Sequence, residues 1–126
     1  MTAGRLFLAV LATATMGAAS APPSTLEPAF ANTIVTTYPS GRTTRLWLNR
    51  NGTYDAQRAN GQRTAGVWEL KGDRLCLTQK KPIYVPVAYC TGVVPGRIGA
   101  SWKARSIKGE PVVNTIVAGR VGFSPP

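Results

Sequence analysis

Short runs of alternating apolar and polar residues, each closed by a glycine turn, repeat from Thr33 to Ala118. The turn dipeptides are Asn51-Gly52, Asn60-Gly61 and Gly72-Asp73, and the residues that flank them have high strand propensity. An alternation with a period of two places successive side chains on opposite faces of a sheet. The pattern therefore predicts an all-β domain built as an antiparallel meander.

About eight strands are predicted, with no helix in the mature chain. Their expected extents are Asn32–Tyr38, Thr43–Asn49, Thr53–Arg58, Gln62–Leu70, a strand around Leu75 and Leu77, Ile83–Cys90, Ala100–Arg105 and Pro111–Ala118. Pro86 removes a ladder donor, so its strand is predicted to lie at an edge or to contain a bulge. Short strands with regular turns are typical of a small closed or partly open barrel, with a sandwich as the alternative.

Residues 1–21 have the organisation of a cleaved export signal. Arg5 supplies a positive charge, residues 6–19 form an apolar run, and small residues follow. Cleavage is predicted after Ala19 or Ala21. The apolar run is shorter than the roughly 20 residues of a spanning helix, and no cysteine near the cut could carry a lipid anchor. The mature chain is therefore predicted to be periplasmic or secreted.

The remaining chain divides into three segments. Residues 22–31 contain three prolines and no periodicity, which predicts an extended leader outside the core. Residues 32–118 are predicted to form the β-domain. Residues 119–126 are predicted to be a flexible tail. A chain of 126 residues has room for one domain.

Cys76 and Cys90 are the two cysteines of the chain. In an oxidising compartment a disulfide is the default state of such a pair. A loop of about 15 residues closed in this way is worth about 3 kcal/mol. A redox-active pair is the alternative, although such pairs normally have a Cys-x-x-Cys spacing. Because Cys76 alternates with Leu75 and Leu77, the disulfide is predicted to lie away from the core or at a sheet margin.

The chain carries 15 Lys and Arg against 5 Asp and Glu, a formal net charge of +10. This excess favours anionic partners through long-range attraction, unless the charge serves solubility alone. For an exported protein these partners would be lipid headgroups, lipopolysaccharide phosphates, acidic glycans or acidic protein surfaces, and nucleic acid is not expected. The candidate contact residues are Arg42, Arg45, Trp47, Arg58, Arg63, Lys80, Lys81, Lys103 and Arg105. Trp47 shares a strand face with Arg45, so we expect it to be exposed as a partner hot spot.

The composition excludes several kinds of catalytic site. The chain contains no histidine, so it lacks the usual general base and the commonest zinc ligand, and no metal or cofactor is predicted. Asp55 and Glu69 could act as a glycosidase pair only if they faced each other across a cleft. Their alternation places both on the outer face, where cross-strand ion pairs are the ordinary explanation. A non-enzymatic binding protein is therefore predicted, with an enzyme using these two carboxylates as an alternative.

Four short segments, taken in chain order, carry a resemblance to known proteins: a hairpin turn, a Gly-x-Trp strand, a strand with one of the two cysteines, and the end of the last strand. They are Asn51-Gly52-Thr53-Tyr54, Gly66-Val67-Trp68, Leu75-Cys76-Leu77 with Cys90, and Ala118-Gly119-Arg120. In these segments the chain resembles a group of small exported bacterial proteins that have no assigned activity. The resemblance covers most of the mature chain and implies the β-fold and the disulfide.

Gly66-Val67-Trp68 is also similar to the G-x-W strand of lipocalin-type and avidin-type barrels, in which the tryptophan closes one end. In lipocalins the motif lies on the first strand, whereas Trp68 lies near the middle of this chain. The chain is similar as well to periplasmic metalloprotease inhibitors, which are small barrels with one disulfide and an N-terminal trunk. This similarity implies a second alternative function, a protease inhibitor acting through residues 22–31.

Overall fold

The computed structural model describes residues 26–92 and 97–123. These residues form eight antiparallel strands in one sheet, curled into a nearly closed barrel, and one short helix. The elements are α1 (Glu27–Phe30), β1 (Thr33–Thr37), β2 (Thr43–Leu48), β3 (Thr53–Gln57), β4 (Arg63–Lys71), β5 (Arg74–Lys81), β6 (Tyr89–Gly92), β7 (Ser101–Arg105) and β8 (Pro111–Val117). The predicted all-β barrel with one disulfide is confirmed. The predicted export signal lies outside the described residues.

The order of strands in the sheet is β6-β5-β4-β3-β2-β1-β8-β7. The first six strands form the predicted meander, but the β7–β8 hairpin joins on the other side because β8 pairs with β1, with Ile34 opposite Ile116. This long-range pairing brings β6 and β7 together as the two free edges of the sheet. The Tyr89 hydroxyl donates a hydrogen bond to the Arg105 carbonyl across the gap, so a side-chain contact bridges the seam of the nearly closed barrel.

Four of the hairpin turns share one geometry. In each, a glycine N–H donates to the carbonyl three residues earlier, as in Gly61 to Arg58 (2.8 Å). The four glycines adopt left-handed φ values of +84° to +91°, and they are Gly41, Gly52, Gly61 and Gly109. A type I turn closed by a bulge requires this conformation at its last position. Each predicted two-residue Asn-Gly loop is thus the second half of a four-residue turn. Gly72-Asp73, in contrast, does form a two-residue loop.

The apolar core fills the barrel interior. Its buried members are Leu26, Ala29, Ile34, Leu48, Tyr54, Leu75 and Ile116. The first two belong to the α1 region, so the prediction of an extended leader outside the core is wrong for residues 26–30. The prediction of no helix after the export signal is wrong at the same place, because Glu27–Phe30 is helical. A small barrel exposes apolar side chains at its ends unless another segment covers them, and α1 supplies that cover. Residues 22–25 lie outside the described residues.

The predicted flexible tail is also wrong as far as Phe123. The Thr33 hydroxyl donates to the Gly119 carbonyl (2.7 Å) and accepts from the Val121 N–H (2.8 Å). Phe123 contacts Trp47 edge to face, with ring centroids 5.3 Å apart. We call residues 119–123 the docked tail.

The docked tail explains why Trp47 is not an exposed hot spot. Its side chain is 0% exposed, and its indole N–H donates to Thr33 Oγ1 (3.1 Å). The predicted alternation is correct, since Leu48 lies in the core and Trp47 does not. The docked tail covers this part of the outer face. The period of the strand indicates the face on which Trp47 lies but not whether another segment covers that face.

The disulfide joins directly opposite residues of β5 and β6, Cys76 and Cys90. It therefore lies at the sheet margin, as predicted. The strand that contains Cys90 is shorter than expected, because residues 83–88 form a loop. Pro82 and Pro86 remove two donors that a ladder would need.

Replacing both cysteines by alanine is expected to lower the free energy of unfolding by about 3 kcal/mol. The bond closes a loop of about 15 residues, and it holds the short edge strand β6 against β5. Urea denaturation of the double variant, compared with the wild type, measures this difference. A loss below about 1 kcal/mol would show that β6 is held mainly by its other contacts.

Candidate functional site

The two ends of the barrel are covered differently. One end holds α1 and the start of the docked tail, which continues over the outer face at Trp47. At the other end lie the β1–β2, β3–β4, β5–β6 and β7–β8 connections, because alternate turns of an antiparallel sheet meet at the same end. We call residues 38–42, 58–62, 80–88 and 105–110 the loop end, and the opposite side the closed end.

The loop end concentrates positive charge. One carboxylate, Glu110, belongs to it. Three of the five acids of the chain, Glu27, Glu69 and Asp73, lie toward the closed end instead. Six exposed basic side chains belong to the loop end: Arg42, Arg58, Lys80, Lys81, Arg105 and Lys108.

Five of these six cations were candidates from the sequence, and Lys108 was missed. Its signal was present in the Lys108-Gly109 turn between two predicted strands. The six residues lie between positions 42 and 108 of the chain, and the topology brings them to one end.

Neighbouring groups position several of these cations without neutralising them. The Arg42 guanidinium lies 4.9 Å from the Tyr38 ring centroid, and the Lys80 ammonium lies 4.7 Å from that of Tyr84. Arg58 donates to Gln79 Oε1 (3.4 Å). Within residues 26–92 and 97–123 none of the six cations forms an ion pair, whereas at the closed end Arg50 and Glu27 are joined at 2.7 Å. The loop-end charges therefore remain available to an external anion.

Two other predicted contact residues serve the fold. Arg63 lies over the Trp47 ring, 5.0 Å from its centroid, and donates to the Gly122 carbonyl (3.3 Å). The Arg45 side chain lies against Gly122. Both arginines thus contact the docked tail, whereas Lys103 is exposed on β7.

A shallow depression lies beside the loop end, between β2 and the β3–β4 turn. Its lining is mostly polar and includes two arginines, and it is formed by Thr43, Arg45, Gln57, Arg58, Ala59 and Gly61. This lining suits a single anionic group, such as a phosphate, held at the surface.

The structure does not bring Asp55 and Glu69 together. Asp55 is opposite Ala65, so Glu69 lies four residues farther along β4, a displacement of roughly 13 Å at the usual strand rise. Glycosidase carboxylates are separated by about 5 to 9.5 Å. Asp55 instead accepts a hydrogen bond from Asn49 Nδ2 (3.4 Å).

Tyr54 is buried in the core, and Tyr89 is half-buried on β6. Burial raises the pKa of Tyr54, although the charge of Arg58 partly opposes this effect. Burial also raises the pKa of Tyr89. The Tyr89 hydroxyl donates to the Arg105 carbonyl at the β6–β7 seam.

The part of the chain that the structure describes contains no group of three His, Cys, Asp or Glu side chains placed to hold a metal ion. The same residues include no helix with the length and apolarity needed to cross a membrane.

Comparisons of the chain with protein-family models, with curated proteins and with solved structures found no match.

Proposed function

We propose that this chain is an exported, non-enzymatic accessory protein that binds an anionic component of the cell envelope through its loop end. The observation that carries the proposal is the gathering of six exposed cations and one carboxylate at one end of the barrel. A cluster of one sign of charge attracts oppositely charged partners and raises their association rate.

The positioning of the cations also supports binding. Arg42 and Lys80 lie against aromatic rings, and Arg105 donates to the Gly109 carbonyl (2.9 Å). A side chain that is already ordered loses less conformational entropy when it binds. Arginine in particular forms bidentate contacts with phosphate and carboxylate groups.

The alternative of a protease inhibitor is less well supported. A trunk that enters an enzyme cleft must be free, but Leu26 and Ala29 are buried in the core. The Phe30 carbonyl accepts a hydrogen bond from Arg120 Nη1 (3.0 Å). Residues 26–30 would have to leave the barrel before they could act as an inhibitory segment.

The proposal is tested by retention on immobilised heparin, used as a general polyanion, over a gradient of NaCl. The loop-end charge variant is Arg42→Gln/Lys81→Gln/Lys108→Gln. Its control, Lys71→Gln/Arg74→Gln/Arg97→Gln, removes three exposed charges from the closed end. We expect the loop-end charge variant to elute at clearly lower salt than the control, because screening weakens contacts between exposed charges.

Equal elution of the two variants would contradict the proposal, because the retention would then depend on net charge alone. Retention of the wild type that does not change with salt would contradict it as well.

A further inference from the structure

The loop end carries exposed apolar side chains among its cations. Ile83 is 69% exposed, Val87 73% and Ile107 81%, and Tyr84 is 60% exposed. Large aliphatic side chains that remain this exposed gain nothing from the folding of the chain. Their grouping on two loops at one end, rather than singly over the surface, is typical of an interaction surface.

Ile107 has an unusual place for an aliphatic residue. It follows the first residue of the turn Ser106–Gly109, in which the Gly109 N–H donates to the Ser106 carbonyl (2.9 Å). The three turns of the same geometry have Pro39, Arg50 and Ala59 at this position. The tip of the β7–β8 hairpin therefore presents a large aliphatic group to solvent, next to Lys108.

The β5–β6 loop holds its apolar groups on an anchored backbone. The Val85 N–H donates to the Gln79 carbonyl (3.0 Å), and Gln79 Nε2 donates to the Ile83 carbonyl (3.1 Å). Ile83 and Val87 project from a segment that is tied to β5. The two apolar tips thus belong to loops with defined backbone hydrogen bonds.

A bilayer interface matches both features of this surface. A soluble polyanion would engage the cations but would leave Ile83, Val87 and Ile107 in water. An anionic membrane presents negative headgroups above an apolar layer, and interfacial anchors bury their apolar side about 5 to 10 Å deep. Lys and Arg can cover apolar surface with their stems while their charged groups contact headgroups.

We infer that the loop end docks on an anionic lipid bilayer, with Ile83, Val87 and Ile107 inserted below the headgroups and the six cations at the phosphate level. Tyr84 then lies at the interface, where aromatic residues with a polar group are favoured. The inference rests on the proposed function, because it identifies the anionic partner as membrane lipid.

The test uses the secreted form recovered from expressing cells, with its N-terminus determined by mass spectrometry. Sedimentation with vesicles of phosphatidylglycerol and phosphatidylcholine measures binding, and vesicles of phosphatidylcholine alone serve as the uncharged reference. The apolar-tip variant is Ile83→Ser/Ile107→Ser. Its control is Val67→Ser/Ile98→Ser, which changes two exposed aliphatic residues outside the loop end.

We expect the apolar-tip variant to bind anionic vesicles about tenfold or more weakly than the wild type, because two aliphatic side chains no longer enter the apolar layer. The control is expected to bind within about twofold of the wild type, since changes outside the contact leave it intact. Both variants are expected to elute from heparin at the wild-type salt concentration, since their charges are unchanged. Their thermal midpoints should match the wild type, because all four positions are exposed.

Wild-type vesicle binding by the apolar-tip variant would overturn the inference and leave the proposed function standing on charge alone. Heparin retention without any vesicle binding would also overturn it, and would identify a glycan or another soluble polyanion as the partner. Failure of the proposed function is recognised separately, by equal heparin elution of the loop-end charge variant and its closed-end control.

Discussion

Gly66→Ala is expected to prevent stable folding, with a loss of about 4 kcal/mol or more in the free energy of unfolding. A Cβ at this position would overlap the carbonyl oxygen of Thr78 and lie 2.9 Å from a ring carbon of Tyr54. Gly66 is opposite Tyr54 and lies next to the irregularity in the β4–β5 register. The obstacle is backbone of the neighbouring strand, so relief requires β4 and β5 to separate, which would disrupt their pairing.

Gly92→Ala is the matched control for this substitution. Gly92 is the last residue of β6, and a Cβ there would meet no atom of the described residues within 4 Å. Its expected effect is within about 1 kcal/mol, and it can be stabilising through the unfolded state. Soluble yield and urea denaturation compare the two variants. If Gly66→Ala unfolded at the same urea concentration as Gly92→Ala, the close approach of β4 and β5 would be refuted.

Truncation after Ala118 is expected to lower the free energy of unfolding by about 4 kcal/mol, because each buried group left without a partner costs about 1 to 3 kcal/mol. Within the docked tail, Arg120 Nη1 donates to the Phe30 carbonyl (3.0 Å) and Arg120 Nη2 to Asn49 Oδ1 (2.9 Å). Loss of the tail also removes the ring of Phe123 from Trp47. Thermal and urea denaturation, with tryptophan fluorescence as a readout of Trp47 exposure, measure the effect.

Arg120→Met removes the hydrogen bonds of the tail without shortening the chain, so it measures their share of the effect. This variant keeps an apolar stem but removes the donors that join α1, the β2–β3 turn and the tail, so we expect about half of the truncation effect. Arg97→Met is its control, since Arg97 is exposed at the closed end, and we expect it to change stability by less than about 0.5 kcal/mol. A truncated chain as stable as the wild type would mean that residues 119–126 do not contribute to the fold.

These two expectations give structural roles to segments on which the sequence resemblance rests. Gly66 permits the close approach of two strands, and Trp68 Nε1 donates to the Asn49 carbonyl (2.8 Å). The Arg120 guanidinium donates to the side-chain Oδ1 of the same asparagine. The G-x-W and A-G-R segments therefore meet at the β2–β3 turn and stabilise the closed end of the barrel, away from the proposed binding surface.

The loop-end surface could be predicted only in part. Lys80, Lys81 and Arg58 are visible as charges in the sequence, and counting alternate turns indicates that their loops share an end. The same count includes the turn with Lys108, which was missed, and the structure adds the exposure of Ile107 in that turn. Arg45 and Arg63 were predicted as partner contacts, but in the structure they contact the docked tail. The sequence around them does not indicate this contact, because the tail follows them by more than fifty residues.

The sequence by itself determined the strand content, the positions of the turns and the cysteine pairing of this protein. Alternation and turn chemistry are local properties that involve residues a few positions apart. Only the tertiary structure decided the pairing of β1 with β8, the cover of Trp47 by the docked tail and the insertion of Leu26 into the core. A period of two reports which face a side chain is on, but what covers that face depends on segments distant in the chain, and these have no local signal.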